Sequence, residues 1–355
     1  MLKIGKNQVK QGFFACAALA MTGAAHAQSG NVTMYGIVDM GFVHESGAAD
    51  GSRNKLTSGM MSGSRFGFRG IEDLGGGLNA FFILEGGILV DNGTSGQGGA
   101  LFGRQALVGM GGGFGKVSLG RQYTTLAMAQ VEYDPFSTGM AGTSANMISA
   151  GGRGGSNRFD NGVKYNAPTF AGFDTEASYV FGETTNGSQN DQYGASLSYG
   201  KGPFRTKVAY ANAKDANGIG QDAKQTFLAA RYDFGPVVGY INYSINRGAI
   251  VPGTPNFKSE DFLVGAMIPF GSGRFVVSYI NKNDRTAANF DAQQYAVGYV
   301  YSLSKRTSLY TSYAYIHNNA SNTSPTGFYR VWNANDIGNA TAGNKAFNFG
   351  INHQF

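Results

Sequence analysis

Basic side chains occupy alternate positions in segments whose remaining positions are apolar. Arg65 and Arg69 share one face of such a segment, and Phe66 and Phe68 share the other. A guanidinium keeps its charge at any working pH and offers a fork of N–H donors, so it attracts anions without exchanging protons. The same parity places four arginines on polar faces: Arg65, Arg69, Arg104 and Arg158. Arg121 shares its parity with Val117, Leu119 and Tyr123, and it joins the other four only if its strand bends inward.

Acidic side chains that could oppose these arginines are few. Glu132 and Asp134 are the only acids between Thr124 and Asn157, and Glu85 lies on a segment where it could also point inward. Facing acids and bases create a transverse field that orients dipolar solutes, and rings of arginine or lysine favour anions. The alternative is that Glu132 and Asp134 only solvate an external loop.

The sequence contains no convincing catalytic or metal-binding pattern. The single cysteine, Cys16, lies in the leader, and His44, His317 and His353 lie on three distant segments without metal-ligand spacing. The glycine clusters lack the strand, helix and terminal Lys-Ser/Thr of a phosphate-binding loop, so they predict turns. We therefore expect no enzyme activity, no metal and no cofactor.

The first residues predict a secretory leader. Lys3, Lys6 and Lys10 precede a short apolar core, Phe13 to Met21, and Ala25-His26-Ala27 has the small-x-small form of a cleavage site. We expect a signal peptide at 1–27 and one exported domain at 28–355.

The exported part predicts an all-β protein. Glycine accounts for 55 of 355 residues and charged residues for only 14%, against about 25% charged residues in ordinary soluble domains. Apolar and polar residues alternate strictly, as in Phe347, Phe349 and Ile351, which is the period of a strand with two different faces. Sixteen segments show this pattern: 31–45, 64–72, 78–90, 101–111, 116–123, 158–167, 173–183, 191–200, 204–213, 225–234, 237–247, 259–269, 274–283, 291–301, 307–317 and 345–355.

The connections between these segments alternate in length. Short glycine-rich turns, as at 73–77 and 111–115, alternate with long polar connections, as at 46–63 and 318–344. Long loops on one side, short turns on the other and an even strand count are typical of an antiparallel transmembrane β-barrel with a polar interior. In such a barrel a charge on the lipid face costs about 2–4 kcal/mol near the midplane, so the arginines are expected inside. The connection at 124–157 is unusually long, and loops of such length are usually functional.

Several motifs resemble one family along the whole exported chain. The segments Asn31–Asp39, Ser64–Leu78, Leu101–Gly109 and Leu119–Tyr123 are similar to strands of Gram-negative trimeric porins, in particular the β-proteobacterial, neisserial-type general diffusion porins. The terminal His353-Gln354-Phe355 resembles the aromatic signal that this family presents to the barrel-assembly machinery. The Pro-Glu-Phe-Gly-Gly motif of enterobacterial loop 3 is missing, and the nearest local pattern is Asp134-Pro135-Phe136, so the exact path of that loop does not carry over.

The resemblance implies a 16-stranded antiparallel transmembrane β-barrel, assembled as a homotrimer, with a long loop 3 folded into the lumen. It implies export through the Sec route to the Gram-negative outer membrane, contact with its lipid and lipopolysaccharide, and no nucleic-acid partner. The expected function is passive diffusion of small hydrophilic solutes and ions, with small anionic and neutral solutes preferred. The alternative is a substrate-specific channel of the same architecture. The expected constriction residues are basic (Arg65, Arg69, Arg104, Arg121 and Arg158) and acidic (Glu132, Asp134 and Glu85), with Phe355 as the assembly signal.

Overall fold

A computed structural model describes residues 32–48, 51–149, 156–185, 187–215, 221–249, 256–319, 329–331 and 342–355. The predicted signal peptide at 1–27 lies outside these residues. In the described part of the chain, no helix has the length and apolar character needed to cross a membrane.

The described residues form eighteen strands and one α-helix. The strands are β1 (Thr33–Ala48), β2 (Gly51–Ser58), β3 (Arg65–Gly75), β4 (Leu78–Leu89), β5 (Thr94–Ser95), β6 (Gln105–Gly112), β7 (Gly115–Tyr123), β8 (Arg158–Asn166), β9 (Phe173–Val180), β10 (Gln192–Lys201), β11 (Phe204–Ala213), β12 (Ala223–Asp233), β13 (Val238–Gly248), β14 (Phe257–Phe270), β15 (Gly273–Asp284), β16 (Ala292–Ser302), β17 (Thr307–Asn318) and β18 (Lys345–Gln354). The helix α1 spans Thr125–Tyr133, and short 3-10 turns occupy Gln97–Gly99 and Ser144–Asn146.

Antiparallel pairing closes these strands into a barrel. The last strand, β18, pairs with β1 from Ile37↔Gln354 to Ser46↔Lys345. β2 and β3 pair with different stretches of β1 and act as one interrupted barrel strand, whereas β5 pairs only with the end of β4. The barrel therefore has sixteen strands, all antiparallel to their neighbours, as predicted.

The two faces of the wall differ as the alternation predicts. In β16, Tyr295 and Val297 are 51% and 45% exposed, while Gln294 and Val300 are buried. Exposed apolar side chains recur on the outer face of most strands, as at Leu197, Ile241 and Phe349. An apolar outer band with a polar inner face is the arrangement that a lipid environment requires.

The prediction that 46–63 is a connection without strands is wrong, because the structure forms strand β2 within it. Its sequence, GSRNKLTS, lacks a continuous apolar face. Pairing from Met40↔Ser58 to Glu45↔Arg53 extends the hairpin with β1 and satisfies the backbone. Hydrophobic alternation cannot reveal a strand whose two faces are both polar.

The long connection at 124–157 contains α1. The side chain of Thr124 accepts a hydrogen bond from Ala127 N at 3.1 Å and caps the first turn. Leu126, Ala129 and Tyr133 form a buried cluster with residues of β11 and β12, among them Phe227. Residues further along, including Phe136 and Ile148, join a second cluster with residues of β13 to β17. This connection therefore packs against strands far from its own ends.

Candidate functional site

A cavity of about 430 Å³ lies between this long connection and the barrel wall. Met128, Val131 and Phe136 line it from the side of the connection, and Val276 and Val300 line it from β15 and β16. Four arginines contribute to its lining, namely Arg65, Arg104, Arg158 and Arg274. Among the described residues that line this cavity there is no carboxylate.

Two of these arginines, Arg104 and Arg158, donate hydrogen bonds to the hydroxyl group of Tyr123. Arg104 Nη2 and Arg158 Nη2 donate to the Tyr123 hydroxyl oxygen at 2.6 and 2.8 Å. The Arg158 guanidinium also lies 4.4 Å from the centre of the Tyr123 ring, within the range of a cation–π contact. Arg158 Nε donates to the carbonyl of Arg104 at 3.0 Å, which links the start of β8 to the chain just before β6. The phenol therefore holds two like charges side by side.

Arg65 is held by the chain immediately before it. Its Nε donates to Gly63 O and its Nη2 to Ser62 Oγ, both at 2.8 Å. These partners belong to the six residues that separate β2 from β3. The guanidinium is thus fixed locally, at the start of β3, and lines the same cavity as the Tyr123 cluster.

Glu85 lies behind the cluster. The residue is 3% exposed, and its carboxylate accepts a hydrogen bond from Tyr35 Oη at 3.0 Å and forms an ion pair with Arg104 Nε at 2.8 Å. The predicted inward direction agrees with this burial. A carboxylate here compensates the burial of Arg104, because a buried charge without a partner is strongly destabilising.

Two predicted arginines lie away from the cavity. The Arg69 guanidinium stands 5.3 Å from the centre of the Tyr35 ring and is not part of the lining. Arg121 pairs with Asp160, with Nη1 and Oδ1 2.5 Å apart, and its Nε donates to Gly103 O. The β7–β8 register shifts between Gly120 and Gln122, so the strand is irregular at this point, and Tyr123 rather than Arg121 lines the cavity.

The two acids of the long connection have different surroundings. Glu132, on α1, forms an ion pair with Lys207 at 2.7 Å and lies 4.0 Å from Arg231. Asp134 is buried and accepts hydrogen bonds from the backbone N–H groups of Phe136, Thr138 and Ser144. Burial raises the pKa of Asp134, and these N–H donors oppose the shift. Asp134 therefore organises the turn that follows α1, whereas Glu132 faces basic side chains of the wall.

Tyr123, Ser62 and Gly63 were not identified from the sequence. Tyr123 has the parity of Leu119, which is 50% exposed, so regular alternation directs it outward. Tyr123 nevertheless lines the cavity from the end of β7, where it pairs with Arg158 just beyond the irregular pairing near Gly120. In the described part of the chain, no group of three or more His, Cys, Asp or Glu side chains is arranged to hold a metal ion.

Comparison with known proteins identifies the family. Residues 15–321 match the model of the Gram-negative porin family. The chain is 35% identical to outer membrane porin protein 32 of Delftia acidovorans, over 89% of this chain and 92% of that protein. It is 30% identical to an outer membrane porin protein of Bordetella pertussis, over 87% of this chain and 95% of that protein.

Solved structures agree with this assignment. The anion-selective porin from Comamonas acidovorans superposes with a TM-score of 0.77 at 31% identity, covering 92% of this chain and 99% of that one. OmpT of Vibrio cholerae has the same fold, with a TM-score of 0.65 at 17% identity over 93% and 99% of the two chains. Family and fold are those of a channel in the Gram-negative outer membrane, and the chain belongs to the Gram-negative porin family.

Proposed function

We propose that this porin is a homotrimeric diffusion channel whose passage is narrowed by loop 3, the connection at 124–157, and which prefers anions. The observation that carries the proposal is the cavity lined by four guanidiniums and by no described carboxylate. Small hydrophilic anions and neutral solutes are its substrates, and we assign it no catalytic activity and no cofactor.

Hydrogen bonds across the barrel support an inward path for loop 3. Gln294 Nε2, on β16, donates to Gly142 O at 3.0 Å, and Asn146 Nδ2 donates to Gln294 Oε1 at 2.8 Å. Ala141 N donates to Ser312 Oγ on β17, and Asn242 Nδ2 on β13 donates to Tyr133 O. These side chains lie on the polar, buried face of the wall, so a loop that reaches all of them has to run through the interior.

Electrostatics supports the preference for anions. Glu85 compensates Arg104, and the structural hydrogen bonds of Asp134 keep its carboxylate away from the cavity. The remaining arginines act on a passing ion over the Debye length of about 8–10 Å. The preference should therefore be greatest at low salt and decline as salt rises. The anion-selective porin from Comamonas acidovorans is 31% identical to this chain, which supports a preference for anions over cations here.

Replacing Arg65, Arg104 and Arg158 together by Ser tests the proposal. We expect the zero-current potential across a KCl gradient in planar bilayers to show a reduced or reversed anion preference, because three fixed positive charges leave the passage. The Arg69→Ser variant is the matched control, since Arg69 is not part of the lining, and it should keep the wild-type potential. A cation-preferring wild type, or a triple variant with unchanged potential, would contradict the proposal.

The proposed assembly is the homotrimer that the resemblance to trimeric porins implies. Export removes residues 1–27, and three copies associate in a membrane of lipid and lipopolysaccharide. Migration on a gel without boiling should show a heat-sensitive species of about three chains, because a closed homotrimer has one defined size. A monomer alone in mild detergent would rule out the trimer.

A further inference from the structure

The wall of the barrel is interrupted beside Arg65. Ser58, at the end of β2, pairs with Met40, and Arg65, at the start of β3, pairs with Ile37. The six residues 59–64 therefore stand opposite only two residues of β1, Val38 and Asp39. Six residues cannot fit into that space within the ladder, so the segment 59–64 leaves the sheet. Met61, Ser62 and Gly63 of this segment line the cavity.

The carboxylate of Asp39 holds the segment 59–64 in place. Asp39 is fully buried on the inner face of β1. Its Oδ1 accepts hydrogen bonds from Met60 N at 2.9 Å and from Met61 N at 3.4 Å, and its Oδ2 accepts one from Ser62 N at 3.2 Å. Two side chains complete the set: Tyr310 Oη donates to Oδ1 at 2.7 Å, and Asn352 Nδ2 donates to Oδ2 at 2.8 Å.

The segment 59–64 in turn contacts three parts of the cavity wall. Ser62 Oγ and Gly63 O accept the two hydrogen bonds from Arg65. Gly63 leaves space for Arg104, because a Cβ at this position would lie 2.8 Å from Arg104 Nη1. Met60 O accepts a hydrogen bond from Met140 N of loop 3 at 2.5 Å. A displacement of this segment would therefore move an arginine and the loop together.

We propose that Asp39 is a positioning residue for ion selectivity, which acts through Ser62 and Gly63 on the guanidinium of Arg65. This inference rests on the proposed function, because it assumes that Arg65 contributes to selectivity. The carboxylate itself is buried behind the segment and does not line the cavity. Its role is to fix the backbone that presents the charge.

The Asp39→Asn variant separates this role from the simple effect of charge. An amide keeps one oxygen, which can still accept from Met60 N and Tyr310 Oη, and Asn352 can turn its own amide to accept from the new NH₂ group. The N–H of Ser62 has no such replacement, so the variant loses the contact to the residue that holds Arg65. By charge alone, removing a buried negative group beside the passage would strengthen the preference for anions. The positioning role predicts the opposite sign.

The experiment measures zero-current potentials at low salt for the wild type, Asp39→Asn, Arg65→Ser and the double variant, with heat-modifiable gel migration as the readout for folding. We expect Asp39→Asn to lower the anion-to-cation permeability ratio at least about twofold, the order of effect that a displaced charge exerts at a few ångströms. The double variant should show no further decrease below Arg65→Ser, because the positioning effect of Asp39 requires Arg65. Asp284→Asn is the matched control: it changes a buried carboxylate that, like Asp39, accepts hydrogen bonds from backbone N–H groups, here those of Thr286 and Phe290, and that does not line this cavity, so the permeability ratio of the folded channel should stay at the wild-type value.

The outcomes distinguish the inference from the proposed function. A folded Asp39→Asn channel with an unchanged or raised ratio, beside an Arg65→Ser channel that has lost selectivity, overturns the positioning role alone. An Arg65→Ser channel with wild-type selectivity overturns the proposed role of Arg65 and the route through Asp39 with it. If Asp39→Asn does not fold, the permeability ratio of Tyr310→Phe tests the positioning role instead, since this variant removes one donor to the Asp39 carboxylate and keeps the ring. A partial decrease then supports the inference, and a wild-type ratio overturns it.

Discussion

Two guanidiniums share one phenol oxygen in the cavity wall, and this arrangement decides where their charges stand. A charge-assisted hydrogen bond contributes about 1.5–3 kcal/mol, so the two bonds from Arg104 and Arg158 to Tyr123 offset part of the repulsion between the arginines. Lys164 Nζ donates to the backbone carbonyl of the same tyrosine at 2.7 Å and fixes the strand behind it.

At the residue scale we therefore predict that Tyr123→Phe weakens selectivity without removing a charge. The ring stays for the cation–π contact, but both guanidiniums lose the acceptor that they share and can move apart. Zero-current potentials should fall between those of the wild type and the triple Arg→Ser variant. Tyr165→Phe provides the control, because its hydroxyl donates to Phe114 O on the exposed side of the barrel, and it should behave as wild type. A wild-type potential in Tyr123→Phe would show that the phenol does not hold the arginines.

At the scale of elements, α1 brings one acid to two bases of the wall. Glu132 forms its ion pair with Lys207 of β11 and approaches Arg231 of β12, while the apolar side of the helix packs on Phe227. The helix thereby neutralises part of the basic inner face. The other acid near its end, Asp134, is engaged by backbone N–H groups within the loop.

The prediction for this element is that Glu132→Gln strengthens the preference for anions. Lys207 and Arg231 then lose their compensating charge on the inner face, and the effect should decline as salt rises, because screening shortens the reach of the freed charges. Zero-current potentials at low and high KCl measure this. Glu183→Gln is the control, since that carboxylate accepts from Asn161 outside the cavity lining. A shift toward cations would contradict the assignment of Glu132.

At the scale of the whole molecule, the barrel closes where its two ends meet. Phe355 and Gly36 exchange two backbone hydrogen bonds at 3.1 Å, next to the β1–β18 ladder. The Phe355 ring covers Gly36, and a Cβ on that glycine would lie 2.3 Å from the ring. The terminal aromatic thus completes the seam of the barrel as well as carrying the predicted assembly signal.

Deleting Phe355 should therefore prevent assembly in the outer membrane. The expected result is a large loss of heat-modifiable barrel in outer-membrane fractions, because the predicted recognition signal and two closing hydrogen bonds are lost together. Phe114→Ala, which truncates an exposed aromatic in a turn, should assemble normally. Normal levels of the deletion variant would show that the terminal phenylalanine is dispensable.

The sequence by itself determined the strands other than β2 and β5, the closed barrel and the side of the wall on which the arginines lie. Alternation is a local property, because each residue's parity within a strand decides whether its side chain meets lipid or the interior. Arg65, Arg104 and Arg158 were identified in this way. The cost of a charge facing lipid is the physical reason for that prediction, whereas Phe355 was predicted as the assembly signal from the resemblance of the terminal motif.

Tertiary structure alone decided which of these groups meet. Asp39 and Tyr310 are separated by 271 positions and come into contact only when the register of the closed barrel is complete. Tyr123 lines the cavity although its parity predicts the outer face, and strand β2 forms without an apolar face. Asp134 and Glu132 are acids two positions apart that the sequence does not distinguish, yet folding buries Asp134 and pairs Glu132 with Lys207 of the wall. Periodicity records the face on which a side chain lies, whereas breaks in the ladder and contacts across the barrel depend on how all the strands pair at once.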